Sequence, residues 1–79
     1  MDAGAAVQQV KKELESTFGG TMANTILSMA RTKVKAPLIG MTKDDYQRMI
    51  EAICTDPKVG QMLGASGAKE KLNKWKGLV

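Results

Sequence analysis

The sequence contains no histidine, and Cys54 is its single cysteine. Without histidine, the chain lacks the side chain that most often serves as general base, pH switch and metal ligand. A lone cysteine excludes a disulfide within the chain. The carboxylates show no spacing typical of a metal site, and no serine, threonine or cysteine has an imidazole to activate it. The sequence therefore predicts a protein that is not an enzyme and binds no metal or cofactor.

Long apolar segments are also missing. No run approaches the roughly 20 residues that a membrane-spanning helix needs. The first residues include Asp2 and no basic segment of the kind that opens a signal peptide. Hydrophobic residues nevertheless make up 43% of the chain, which is enough to form a folded core. We therefore expect a folded cytoplasmic protein without a membrane span.

Aromatic residues are scarce, and methionine is abundant in their place. The three aromatics are Phe18, Tyr46 and Trp75. The six methionines stand at positions 1, 22, 29, 41, 49 and 62. Methionine fills irregular gaps in a core, but it also recurs on adaptable binding surfaces. Plain core packing is the prediction for these side chains, and a methionine-lined groove for a partner helix is the alternative.

The segment from Met41 to Pro57 carries the clearest helix signals. Thr42 is a good N-cap, and Asp45 stands three residues later, as in a capping box. Pro57 is the last residue of this segment, and Asp56 before it has the features of a cap for the next helix. These signals predict a helix over residues 43–54. Its apolar stripe, at helical spacing, comprises Tyr46, Met49, Ile50, Ile53 and Cys54.

Turn signals divide the rest of the chain into further helices. Gly19 and Gly20 stop the first helix, Thr21 is the predicted cap of the second, and Pro37 prevents its extension. Gly64 ends a short helix, and Ser66 is the predicted cap of the last. The predicted helices span residues 5–18, 21–35, 43–54, 57–63 and 67–77, with residues 1–4 frayed. Residues 1–79 should thus form a single all-α domain, a compact bundle of four helices plus one short helix.

Three finer predictions concern packing. One face of the second helix should carry Met22, Ile26, Met29, Ala30 and Lys33 or Val34, with Leu27 at its edge. Leu38 and Ile39, in the connector after this helix, should tuck under the bundle. Trp75 should hold the last helix to the bundle, and Cys54 should be a buried, inert thiol.

The basic residues give a formal net charge of +4 and fall into two clusters. Cations near the end of the second helix complement its dipole, and the lysines of the last helix are explained by solvation. The alternative is that both clusters contact an anionic partner such as a nucleic-acid backbone. The candidate contacts are Arg31, Lys33, Lys35, Lys69, Lys71, Lys74 and Lys76.

These observations lead to two functional hypotheses. The first is a small, non-catalytic helical module that binds another protein or itself, as a regulatory or accessory component. It depends on three features: the missing catalytic groups, the methionine content, and the small core that a chain of only 79 residues can form. The alternative is a nucleic-acid-binding helical domain that uses the lysine-rich C-terminal helix.

Overall fold

The computed structural model describes residues 1–37 and 39–79, which fold into four helices. These are α1 (Ala3–Phe18), α2 (Gly20–Val34), α3 (Lys43–Cys54) and α4 (Pro57–Lys76). Each helix packs against the next one along the chain, and α1 also touches α3. No strand occurs in the described residues. The predicted all-α bundle is therefore confirmed.

The core is built on α3, as its signals predict. The Thr42 hydroxyl accepts a hydrogen bond from the Asp45 N–H at 3.1 Å, and the Asp45 carboxylate accepts one from the Thr42 N–H at 3.2 Å. This capping box supplies partners for two backbone donors that would otherwise be unpaired at the helix start. The predicted stripe is confirmed, because Tyr46, Met49, Ile50 and Ile53 are completely buried.

The inward face of α2 differs from the predicted one. Met22 and Met29 are exposed, at 38% and 53% of their surface. The residues that pack inward are Ala23, Ile26, Leu27 and Ala30. The prediction is confirmed for Ile26 and Ala30, and Val34 packs against the core. It was wrong for Met22 and Met29, because residues one position away, such as Ala23, face the core instead.

The starts of α1 and α2 also differ from the prediction. Helix α1 begins at Ala3, since the Asp2 carboxylate accepts from the Ala5 N–H at 2.8 Å. Helix α2 begins at Gly20, and Thr21 does not cap it. Gly19 ends α1 and opens α2 with φ of 86°, a conformation that glycine adopts without steric cost. Within the part of the chain that the structure describes, no side chain hydrogen bonds to the start of α2.

Helix α4 joins two segments that the sequence separates. Asp56 caps its start by accepting from the Lys58 N–H at 2.8 Å, and Pro57 is its first residue, as predicted. Gly64 interrupts the helical backbone with φ of 75° and ψ of 169°. The predicted short helix is thus the first segment of α4, and helical structure resumes directly after Gly64. Ser66 lies inside the helix and does not cap it.

The connector between α2 and α3 leaves an apolar side chain in solvent. Ile39 is 91% exposed, so the prediction that it tucks under the bundle was wrong. Ala36 fills the buried position in this connector instead. Leu38, for which the same prediction was made, lies outside the described residues. None of the described helices combines the length and the apolarity that crossing a bilayer requires.

Candidate functional site

A cluster of polar groups joins α1 to the end of α4 around Glu13. One carboxylate oxygen of Glu13 accepts from Lys71 Nζ at 3.0 Å and Lys74 Nζ at 2.9 Å. The other oxygen accepts from Trp75 Nε1 at 3.1 Å. Burial opposes ionisation of Glu13, but the hydrogen bonds from Lys74, Lys71 and Trp75 outweigh it and lower its pKa to about 2. Glu13 is therefore a charged anchor between two helices.

Trp75 is the second part of this anchor. Its side chain is 1% exposed, and its backbone carbonyl accepts from the Tyr46 hydroxyl at 2.6 Å. Burial raises the pKa of Tyr46 to about 12, with smaller contributions from Glu13 and Cys54. Tyr46 is thus a hydrogen-bond donor at neutral pH, and it connects α3 to the last turn of α4. The prediction that Trp75 holds the last helix to the bundle is confirmed.

Three of the four candidate lysines on α4 pair with carboxylates of the chain itself. Lys71 and Lys74 share Glu13, and Lys76 Nζ lies 2.6 Å from Glu51. Lys69 is exposed and makes no ion pair among the described residues. Two carboxylates thus engage three of these lysines, and the pairs join α4 to α1 and α3.

The other predicted cationic cluster is divided between different surfaces. Lys33 is exposed beside Met29, and Lys35 ends α2 in a left-handed conformation with φ of 56°. Arg31 is half-buried and lines a cleft of about 400 Å³ against the start of α1. Its Nε is buried and has no hydrogen-bond partner among the described residues. Arg31 and Lys33 therefore do not form one anion-binding patch.

The most distinctive surface of the molecule is apolar. Met22 and Met29 on α2 and Met62 on α4 are 38%, 53% and 60% exposed, and Phe18 is half-buried beside Met22 and Met62. This surface, here named the methionine face, also includes Thr25, Lys33 and Lys58. Core packing, the prediction for the methionines, holds for Met49, which is completely buried. It does not hold for these three.

Grooves run along the methionine face between α2 and the α3–α4 connection. At one end, Phe18, Met22 and Lys58 line grooves of about 570 Å³ and about 280 Å³. Met62 completes the smaller of the two. At the other end, a groove of about 230 Å³ passes between Met29 and Lys33 on α2 and the residues around Pro57. Because Pro57 and Lys58 are neighbours, the grooves follow one another along the same side of α2.

Groups suited to catalysis do not converge in the described residues. No three histidine, cysteine, aspartate or glutamate side chains lie close enough to hold a metal ion there. Cys54 is half-buried, at the edge of the core, where the sequence predicted full burial. Burial raises the pKa of its thiol to about 11, so little of the reactive thiolate is present at neutral pH.

Comparison of the chain with protein-family models, with curated proteins and with solved structures finds no similar protein. Geometry alone therefore identifies the methionine face as the candidate site. Sequence reasoning missed it because it assigned Met22 and Met29 to the core. Ala23 and Ala30, each next to one of these methionines, have the same seven-residue spacing and are the residues that α2 buries.

Proposed function

We propose that this protein is a small helical interaction module that acts in the cytoplasm by binding another protein through its methionine face. One observation carries the proposal. Three large flexible side chains, Met22, Met29 and Met62, lie exposed on one grooved surface although the core beneath is complete. Exposed apolar groups that cluster in this way mark interaction sites more often than isolated ones do.

The character of these side chains also supports a binding role. Methionine has three rotatable bonds and a polarisable sulfur, so a methionine-lined groove adapts to the partner's shape. Phe18 adds an aromatic wall at one end of the groove, and aromatic residues are enriched in interface cores. A regulatory or accessory role, rather than a catalytic one, follows from a site that offers apolar area without a reactive group.

The nucleic-acid alternative remains a prediction, with less support. It relied on the lysines of α4, and Lys71, Lys74 and Lys76 pair with Glu13 and Glu51. A nucleic-acid partner would have to displace these carboxylates before gaining the phosphate contacts. The alternative predicts binding of a DNA or RNA probe that weakens steeply as salt increases.

Capture from a cell extract tests the proposal. The wild-type chain, a Met22→Glu/Met62→Glu variant and an Ile39→Glu variant are immobilised, and the bound proteins are quantified by mass spectrometry. Ile39 is the matched control, because it is exposed and apolar but lies off the methionine face. We expect specific partners on the wild type and the control, and their loss from the double variant.

Two results would contradict the proposed function. One is equal capture by the double variant and the wild type, provided that circular dichroism shows both to be folded. The other is a stable monomer by analytical ultracentrifugation from which no specific partner is captured. Nuclease treatment of the extract separates direct protein binding from binding through nucleic acid.

A further inference from the structure

We propose that the occupant of the methionine face is an amphipathic helix of another protein, with carboxylates flanking its apolar side. This inference rests on the proposed function and specifies the partner's chemistry. Helix-in-groove recognition uses a few apolar anchors at i, i+3, i+4 and i+7 on the bound helix. The spacing of the methionines along α2 and the positive charge of the flanking lysines suit such a ligand.

The spacing of the apolar side chains on the methionine face is set by α2. Met22 and Met29 are seven residues apart, which places them on the same side of the helix at a rise of about 10.5 Å. An incoming helix presents its own side chains at positions i and i+7 with the same separation. A segment of about three turns, roughly 16 Å long, would reach from Met22 to Lys33 along α2. The grooves on either side of Met29 accept side chains along that line.

The charge follows from the lysines at the two ends of the face. Lys58 lines the groove with Met22 and Met62, and Lys33 lines the groove with Met29. Both are exposed, and neither makes an ion pair within residues 1–37 and 39–79. The carboxylate among the residues that line these grooves, Asp56, is already used to cap α4. A partner with acidic residues near both ends would satisfy these cations.

The start of α2 adds to this positive character. Its first N–H groups have no side-chain cap, and Gly19, Gly20 and Thr21 line the larger groove with Lys58. The unpaired donors at a helix start carry a partial positive charge. An oxygen of Glu15 lies 3.9 Å from the position that a Cβ on Gly20 would take. This carboxylate offsets part of the positive charge at the helix start, so the preference for an acidic partner depends on Lys58 and Lys33.

A second copy of the chain fits the face less well. In a two-fold symmetric dimer, the same patch lies on both sides of the interface. Each lysine-flanked groove would then face another lysine-flanked groove, and Asp56, the carboxylate that lines one of them, is already used to cap α4. An anionic membrane also fits poorly, because such surfaces recruit clusters of about four to eight basic residues. The face offers two, Lys33 and Lys58.

Methionine methyl NMR on the intact chain tests this inference. The six methyl groups are labelled with ¹³C and assigned by single Met→Leu substitutions. The probe is a synthetic helical peptide of about four turns, with leucines at i, i+3 and i+7 and glutamates flanking them. A matched peptide carries lysine at every glutamate position.

We expect the glutamate peptide to shift the Met22, Met29 and Met62 signals saturably and to leave the buried Met49 signal unchanged. The lysine peptide should bind at least about tenfold more weakly, which corresponds to a single lost charge-assisted contact. Lys58→Glu and Lys33→Glu should each reduce the preference for the glutamate peptide, and the double variant should reverse it. Lys69→Glu is the control, because Lys69 is exposed but lines none of these grooves.

Each contrary outcome overturns the inference in an identifiable way. Equal affinity for both peptides would overturn the inference that the partner is acidic. The proposed function would stand, because the capture experiment with the Met22→Glu/Met62→Glu variant tests it separately. Shifts that depend on protein concentration alone would identify a second copy as the occupant. Shifts of the same methyl groups with phosphatidylserine vesicles or RNA, and none with the glutamate peptide, would replace the partner helix by a lipid or nucleic-acid surface.

Discussion

Removing the charge of Glu13 should destabilise the bundle, because this carboxylate joins α1 to α4. In the Glu13→Gln variant, the amide keeps the shape of the side chain and one acceptor oxygen. It cannot balance Lys71 and Lys74, whose ammonium groups lie 3.0 Å and 2.9 Å from the carboxylate. The two lysines would then repel each other at the helix contact without an anion between them.

The size of the expected loss of stability follows from the lowered pKa of Glu13. A pKa that falls from 4.5 to about 2 corresponds to about 3 kcal/mol of preference for the ionised form in the folded state. Lys74 is 55% exposed, so water and salt screen part of this interaction. We therefore expect Glu13→Gln to lower the free energy of unfolding by about 1–2 kcal/mol. For a domain of this size, that loss lowers Tm by about 5–15 °C.

The assay is urea unfolding followed by the fluorescence of Trp75, the single tryptophan, at pH 7 and at lower pH values. Because the folded-state pKa of Glu13 lies below its ordinary value, its stabilisation is complete above pH 4.5 and disappears as the pH falls to about 2. The difference between the wild type and Glu13→Gln should therefore be full at pH 7, about half near pH 3 and absent near pH 2.

Glu15→Gln is the matched control. Glu15 lies two residues away on the same helix, is exposed and makes no ion pair among the described residues. Its substitution should change the free energy of unfolding by less than about 0.5 kcal/mol. Equal unfolding of the two variants at pH 7 would refute the assignment of Glu13 as an anchor. A difference between the wild type and Glu13→Gln that persists unchanged at pH 2 would refute the electrostatic reasoning.

Three further stability predictions can be checked by the same urea assay. Tyr46→Phe should cost about 0.5–1.5 kcal/mol by removing the 2.6 Å hydrogen bond to the Trp75 carbonyl, which still accepts from the Leu78 N–H, and an unchanged midpoint would count against a stabilising role for this bond. Thr42→Ala should cost about 1 kcal/mol by breaking the α3 capping box, and an unchanged midpoint would count against that cap. Gly64→Ala should destabilise by about 1–3 kcal/mol because φ is 75° there, whereas Gly60→Ala, in a helical conformation with open space, should stabilise by up to about 1 kcal/mol. The same sign for both glycine variants would contradict the kink at Gly64.

The candidate site was only partly predictable. The methionine content suggested an adaptable groove as the alternative to core packing, but the sequence could not show which methionines line it. Met49 and Met62 have similar apolar neighbours in the sequence, yet one is completely buried and the other is 60% exposed. Exposure depends on where the other helices lie, and helical periodicity alone does not contain that information.

The lysines of α4 illustrate the same limit. Their composition favoured solvated surface lysines, with a surface that binds an anionic partner as the alternative. Lys71 and Lys74 meet Glu13 from a distance of 58 and 61 residues along the chain. No local pattern links positions so far apart, so only the packed bundle decides whether these charges are free or paired.

The sequence by itself determined the helical architecture. Caps, glycine stops and prolines act within a few residues, and they set the start and end of α3 and the place where α4 bends at Gly64. Tertiary structure alone decided which face of α2 is buried. Met22 and Met29 have the same seven-residue spacing as Ala23 and Ala30, but they lie about 100° around the helix from them, and the positions of the neighbouring helices decide which pair is covered. The larger side chains, Met22 and Met29, are therefore left on the surface.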